Sequence, residues 1–199
     1  MAHLASMDEI FRRLREPDTY KEWTKTRIIK ITLGNSVIRV FVKTTKAALI
    51  ECLLNLPVEE VTAIESQQEY DEWHLAQVNV VYECLCRKRG NIGRLGHTGL
   101  LFGHATKIFN IFIGHLIFYS PYFKSSEIRQ VKMFLHVPLD KKVFDALKAC
   151  SISNVPPSIK KVTETSYYNL QEVIRNAALP CRLPPLYFDE YGWAFDKDE

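Results

Sequence analysis

The stretch from Gly103 to Tyr119, GHATKIFNIFIGHLIFY, constrains this chain more than any other. Its apolar residues surround most of a helical circumference and leave Lys107, Asn110 and His115 as the polar interruptions past its first turn, so it predicts a helix buried on nearly every side. The most apolar run, Ile108 to Tyr122, is broken by Asn110, Gly114 and His115 and is too short to span a bilayer. It therefore reads as the core helix of a globular domain, with a lysine inside its first turns.

Composition fits that reading. A chain of 199 residues is the size of one domain, in one or two lobes, and can bury a proper core. Hydrophobic residues at 47% and charged residues at 25% exclude the disordered and fibrous classes. The net charge of +3 does not by itself announce a nucleic-acid partner, so a basic face would have to come from local clustering. Cys52, Cys84, Cys86, Cys150 and Cys181 are odd in number and form no CxxC, which favours reduced thiols inside a cell over a disulfide framework or zinc site. Met1 to Ser6 read as a tag remnant ahead of a native Met7, and no signal peptide precedes the first helix.

Along the chain, Asp8 to Arg15 has acidic residues first and basic residues last, as a short helix prefers, and Pro17 is expected to stop it. Arg27 to Lys43 is rich in Ile and Val around Gly34-Asn35-Ser36 and predicts a β-hairpin. Thr44 to Asn55 and Val58 to Ser66 predict helices separated at Pro57, the first with Ala47, Leu49, Ile50, Leu53 and Leu54 on its apolar side. Tyr70 to Cys86 predicts a further helix carrying Trp73, Ala76, Val80 and Cys84. Past the buried helix, Ser120-Pro121 breaks the chain, and the turn His136-Val137-Pro138-Leu139-Asp140 opens a helix with Val143, Phe144 and Leu147 as its stripe. Ser153 to Val162 is a loop. Ser166 is placed to cap a helix from Tyr167 to Ala178, which Pro180, Pro184 and Pro185 prevent from continuing.

Two features carry chemistry. The first is the pair Lys107 and Asp140. A buried lysine is costly unless it is neutralised, paired or used, because desolvation disfavours an ammonium. As a free amine it is a nucleophile that can attack a sugar C1′ or a carbonyl carbon to give a Schiff base. A carboxylate fixed at a helix N-terminus could take the amine's proton or stabilise an oxocarbenium ion. The second feature is the run Arg87-Lys88-Arg89, followed by glycines at 90, 93, 96, 99 and 103 with Arg94 among them. Glycines let backbone amides approach phosphate, although a helix ending in cations and a flexible loop would explain the same residues. Taken singly, Asp140 is a helix cap, Lys107 a snorkelling lysine, Trp193 a core aromatic and Asp189 a surface charge. His97, His104, His115 and His136 have no metal-pair spacing and read as structural or pocket-wall histidines.

An apolar helix with an early lysine, the turn HVPLD 33 positions on, and the later segment PPLYFDEYGW together resemble the helix-hairpin-helix DNA glycosylases. Within that superfamily they are most similar to the archaeal 8-oxoguanine glycosylase branch. The resemblance covers the chain from Gly103 onward. It implies a mainly α fold: a two-lobed helical bundle, here with a small N-terminal β-hairpin, forming one domain over residues 7–199 with a cleft between the lobes. It also implies a Schiff-base lysine at Lys107, an aspartate in a Pro-x-Asp turn at Asp140, and a base pocket lined by Asp189 and Trp193. Trp73 is a further aromatic that could stack on a flipped base. Arg87, Lys88, Arg89, Arg94 and the amides of Gly99 and Gly103 would hold phosphates. The Leu-Pro-Gly-x-Gly hairpin of the superfamily is replaced by GLLFGHATK. The implied activity is excision of 8-oxoguanine or another modified base followed by strand nicking. It would be carried out in the cytoplasm, at the nucleoid, by a monomer acting on double-stranded DNA, with no cofactor or metal and no membrane. A non-catalytic DNA-binding module and a helical protein-interaction domain are the alternatives.

Overall fold

The computed structural model describes residues 17–34, 43–87 and 102–194, apart from the side chains of residues 17–20, 23, 43–44 and 191–194. These residues are mainly helical, with no strand among them. The short helix expected over Asp8 to Arg15 lies outside them. Pro17, expected to end that helix, instead begins α1 (Pro17–Gly34). Proline suits a first helical turn, where its missing N–H would have had no intrahelical partner.

The first arm of the expected hairpin is helical, since Arg27 to Gly34 forms the second half of α1, and residues 35–42 lie outside the described residues. The burial pattern explains the difference. Ile28 and Ile29 are buried, Lys30 and Ile31 exposed, and Thr32 and Leu33 buried again. A strand would alternate singly, whereas pairs repeating every three to four residues mark a helix with one face on the core. Packing against α4 overrides the β preference of the isoleucines.

Helix α2 (Lys43–Leu54) buries Leu49 and Leu53 completely and Ile50 and Leu54 in part, while Ala47 is exposed. The helix expected from Val58 to Ser66 is a tighter 3-10 turn, Val58–Ala63, whose eclipsed i and i+3 positions place Val58 and Val61 in the core. Lys25 Nζ on α1 donates to the Leu56 carbonyl at 2.8 Å and fixes this corner. Helix α3 (Gln67–Arg87) buries Tyr70, His74, Gln77, Val78, Val81 and Leu85 along one stripe.

Helix α4 (Phe102–Phe118) is the expected buried helix. It packs against α1, α3, the 3-10 turn Ile159–Lys161 and α6 (Glu164–Ala178). Phe109 and Phe112 are fully buried, and truncating a phenylalanine so placed costs about 3–5 kcal/mol. Between α4 and α6 lies α5 (Lys141–Ala149), and α7 (Tyr187–Ala194) follows α6. The cap of α6 is Thr163 rather than Ser166. Thr163 Oγ1 accepts from the Ser166 amide at 3.2 Å while Ser166 Oγ accepts from the Thr163 amide at 2.9 Å, a reciprocal box that starts the helix three residues earlier.

The buried apolar residues form two clusters. The larger joins α1, α2, α3, α4 and the segment leading to Leu135. The smaller joins Val137 and Leu139 of the HVPLD turn to α5, Val162 and α6, and Phe102 borders both. Among the described residues no helix is long and apolar enough to cross a membrane.

Candidate active site

The helix that carries Lys107 belongs to the larger cluster, and the turn and helix that carry Asp140 belong to the smaller one. Where they meet, Lys107 Nζ donates to Asp140 Oδ2 at 2.9 Å. Both side chains are nearly buried, at 11% and 12% exposure. The other oxygen, Asp140 Oδ1, accepts from the amides of Lys142 at 2.9 Å and Val143 at 3.2 Å, so the carboxylate also caps α5. These two amides and the helix dipole hold it in place. The carboxylate is thus fixed from one side and offers its free edge to the amine.

The pair opens onto a cavity of about 410 Å³, whose wall includes His104, Lys141, Phe144, Lys148, Ser158 and Ile159. Solvent reaches the amine from this side. Next to the pair lies a cluster of polar side chains from three helices and the HVPLD turn. His136 Nε2 donates to Asp71 Oδ1 at 2.8 Å, and His136 Nδ1 lies 3.2 Å from the Tyr167 hydroxyl. Gln171 brackets Val137, accepting from its amide and donating to its carbonyl, each at 2.8 Å. His74, Asn110 and Tyr167 complete the cluster. Burial depresses the affinity of both His74 and His136 for a proton, so both rings are neutral near pH 7. Asp71, bonded to His136 and Gln67 and facing Arg175, has its carboxyl held below the usual range despite partial burial.

A second, smaller cavity of about 60 Å³ runs along α4 on the face of Lys107. Ile111, Gly114 and His115 line it, one and two turns further along the helix, together with Pro138, Leu186 and Asp189. Asp189 sits in the first turn of α7. Desolvation lowers the proton affinity of His115, and its Nδ1 has no hydrogen-bond partner among the described residues. Trp193 lies in the same short helix with its side chain outside the described residues.

Two expected site residues are elsewhere. Trp73 Nε1 donates to Glu60 at 3.2 Å and the ring packs on Tyr70 and Phe109. Phe109 projects about 200° round α4 from Lys107, so Trp73 stands behind the helix rather than beside the amine. Gly103 is not an open phosphate cradle. A Cβ there would overlap the Ile159 carbonyl oxygen and lie 2.9 Å from Val162 Cβ, so this glycine serves the close approach of a turn to the helix. Arg87 is exposed at the end of α3 and pairs with Glu83 at 3.1 Å. Lys88, Arg89, Arg94, His97 and Gly99 lie outside the described residues.

The sequence reading missed His74, Asn110, Tyr167 and Gln171. Only Asn110 carried a signal, as a polar residue in the middle of a largely apolar helix. Among the described residues no group of three or more His, Cys, Asp or Glu side chains is arranged to hold a metal ion. Comparison of the chain with protein-family models, curated proteins and solved structures gave no match.

Proposed function

We propose that the chain is a DNA glycosylase with abasic-site lyase activity, acting on a modified base such as 8-oxoguanine in double-stranded DNA. The observation that supports this most is the 2.9 Å pair of Lys107 Nζ and Asp140 Oδ2, nearly buried yet bordering an open cavity. A purely structural ion pair has no need of an access route to its nitrogen.

In this reading Asp140 takes the proton from the ammonium, and the freed amine attacks C1′ of the flipped nucleotide. The N-glycosidic bond breaks with its electron pair going to the base, which takes up the proton held by Asp140, and the carboxylate so regenerated stabilises the positive charge that develops on the sugar. Ring opening gives a Schiff base between Lys107 and C1′. Loss of a proton from C2′ then expels the 3′ phosphate oxygen, which nicks the strand, and water releases the lysine. Apart from that water, the steps use only the amine and the carboxylate. Asp189 would accept from the N–H edge of the base with Trp193 over its face, and Arg87, Lys88, Arg89, Arg94 and the Gly99 amide would contact phosphates. A monomer with a two-lobed glycosylase architecture, working at DNA in the cytoplasm, belongs to the same proposal.

The test is borohydride trapping on duplexes carrying 8-oxoguanine or an abasic site, with Lys107→Gln and Asp140→Asn alongside. A covalent complex that Lys107→Gln abolishes supports the lyase. A folded protein that neither traps nor nicks either duplex overturns that activity on these substrates and leaves the pair as an interhelical cap.

A further inference from the structure

We infer that Asn110 is a positioning residue that sets the approach of Lys107 to Asp140. Asn110 lies one turn beyond Lys107 on α4 and is 1% exposed. Its Nδ2 donates to the Val137 carbonyl at 3.0 Å and to the Tyr167 hydroxyl at 2.7 Å. Val137 lies three residues before Asp140 in the same turn. A single side chain on the lysine's helix therefore grips the backbone of the segment that presents the carboxylate.

The orientation of this amide is dictated by its surroundings. The Val137 carbonyl can only accept, so the NH₂ end must face it and Oδ1 must face His74, whose Nε2 donates at 2.7 Å. His74 Nδ1 is then an acceptor, and the Tyr168 hydroxyl stands 3.2 Å away to donate to it. On the other side Asp71 can only accept from His136 Nε2, so His136 Nδ1 accepts from the Tyr167 hydroxyl, whose oxygen receives the Asn110 NH₂. The Tyr168 hydroxyl has a second acceptor in the Asp71 carbonyl at 3.4 Å, and His74 Nε2 also lies 3.2 Å from the Tyr167 oxygen, but the orientation of the Asn110 amide is the same whichever of these contacts forms. A fully satisfied buried network of this kind admits a single arrangement, because a flipped amide would set oxygen against the Val137 carbonyl and NH₂ against a ring N–H.

Gln171 already satisfies the Val137 carbonyl and amide, so Asn110 is not needed for those groups to be bonded. What Asn110 alone among these contacts adds is a direct tie from α4 to the turn. Loss of that tie leaves the turn clamped to α6 but frees it relative to Lys107.

The inference concerns the geometry of the pair and deepens the glycosylase reading, so its test uses two readouts. Reductive methylation of the whole protein with formaldehyde and borohydride, followed by mass spectrometry of the Lys107 peptide, reports how tightly the amine is held whether or not the protein cuts DNA. Asn110→Ala is expected to raise Lys107 labelling several-fold, as Asp140→Ala should, with exposed Lys141 unchanged. The core variant Leu53→Ala, far from the pair, should leave Lys107 labelling as it is. Tyr167→Phe, which removes one hydroxyl from the network and keeps the ring, should move labelling in the same direction by less. It also serves if Asn110→Ala does not fold. On abasic duplex, single-turnover trapping by Asn110→Ala should fall about tenfold to a hundredfold with affinity for the duplex nearly unchanged, as expected for misplacement of reacting groups. Unchanged Lys107 labelling in both Asn110→Ala and Tyr167→Phe overturns the positioning role. Absence of trapping by the wild-type protein counts against the lyase alone, since the labelling result still decides the role of Asn110.

Discussion

Replacing Gly103 by alanine sets two effects of opposite sign against each other. Glycine inside a helix is less favourable than alanine by up to about 1 kcal/mol, and by less in a first turn, so propensity alone predicts a gain. The added methyl, however, would overlap the Ile159 carbonyl oxygen and meet Val162 Cβ at 2.9 Å and Ile159 Cγ1 at 3.1 Å. A backbone oxygen cannot swing aside as a side chain can, so the Ile159–Lys161 turn must move. Overpacking of this kind costs about 1–3 kcal/mol, which exceeds the gain and leaves a net loss of about 1–2 kcal/mol. For a protein of this size that lowers the unfolding midpoint by about 2–8 °C. Gly114→Ala is the matched comparison in the same helix, because its methyl would meet only Leu186 Cδ2, at 3.4 Å on a flexible side chain, and should be neutral or slightly stabilising. Thermal and urea unfolding of the two variants decide the matter. A Gly103→Ala protein as stable as wild type or more so would refute the close approach of the turn to α4. Ile159 also lines the cavity beside Lys107, so the shift should be visible as altered Lys107 labelling.

Three further outcomes are expected. His74 and His136 have proton affinities below the ordinary histidine value in the folded chain, so their contribution to stability is complete above about pH 6.5 and is lost as pH falls toward the depressed folded values, where the unfolded chain binds more protons. Urea midpoints should therefore decline from pH 7.5 to 5, and a flat profile would contradict neutral buried rings. Asp140→Ala removes a cap worth about 1 kcal/mol and strands a buried ammonium, a one-sided break that costs about 3–5 kcal/mol. Lys107→Met leaves the cap intact, so it should be the milder of the two in denaturant melts, and the reverse order would refute the dual role of the carboxylate. Burial pushes the Cys52 thiol up to about 12, so iodoacetamide at pH 8 should alkylate exposed Cys150 and Cys181 while Cys52 stays unmodified, as peptide mass mapping would show.

Much of the site was legible because its signals are local. A proline two residues before an aspartate, followed by an amphipathic run, marks a capped helix, and Asp140 is bonded as that pattern requires. A polar residue inside an apolar helix must find a partner, which is why Lys107 stood out. The partner's identity came from family resemblance rather than from spacing. The hairpin expected after Arg27 failed in its first arm because β-branched residues in α1 are chosen for the surface they meet, and α4 meets them with helical periodicity. Trp73 misled for a similar reason, since an aromatic reads the same in sequence whether it faces a cleft or another ring. The network of Asp71, His74, Asn110, His136 and Tyr167 was not legible as a unit because its members come from four separate segments, and only Asn110, inside an apolar helix, stood out as a side chain in need of buried partners.

The two apolar clusters meet at the Lys107–Asp140 contact, with the amine rooted in one and the carboxylate in the other. The contact therefore works as an interlock. A chain emerging from the ribosome, or one in which α5 and α6 have opened by local unfolding, carries a lysine with no base to take its proton. In the proposed lyase, reactivity of the amine and completion of the fold become a single event, and amide exchange of α5 should report how often that pairing opens in the finished protein.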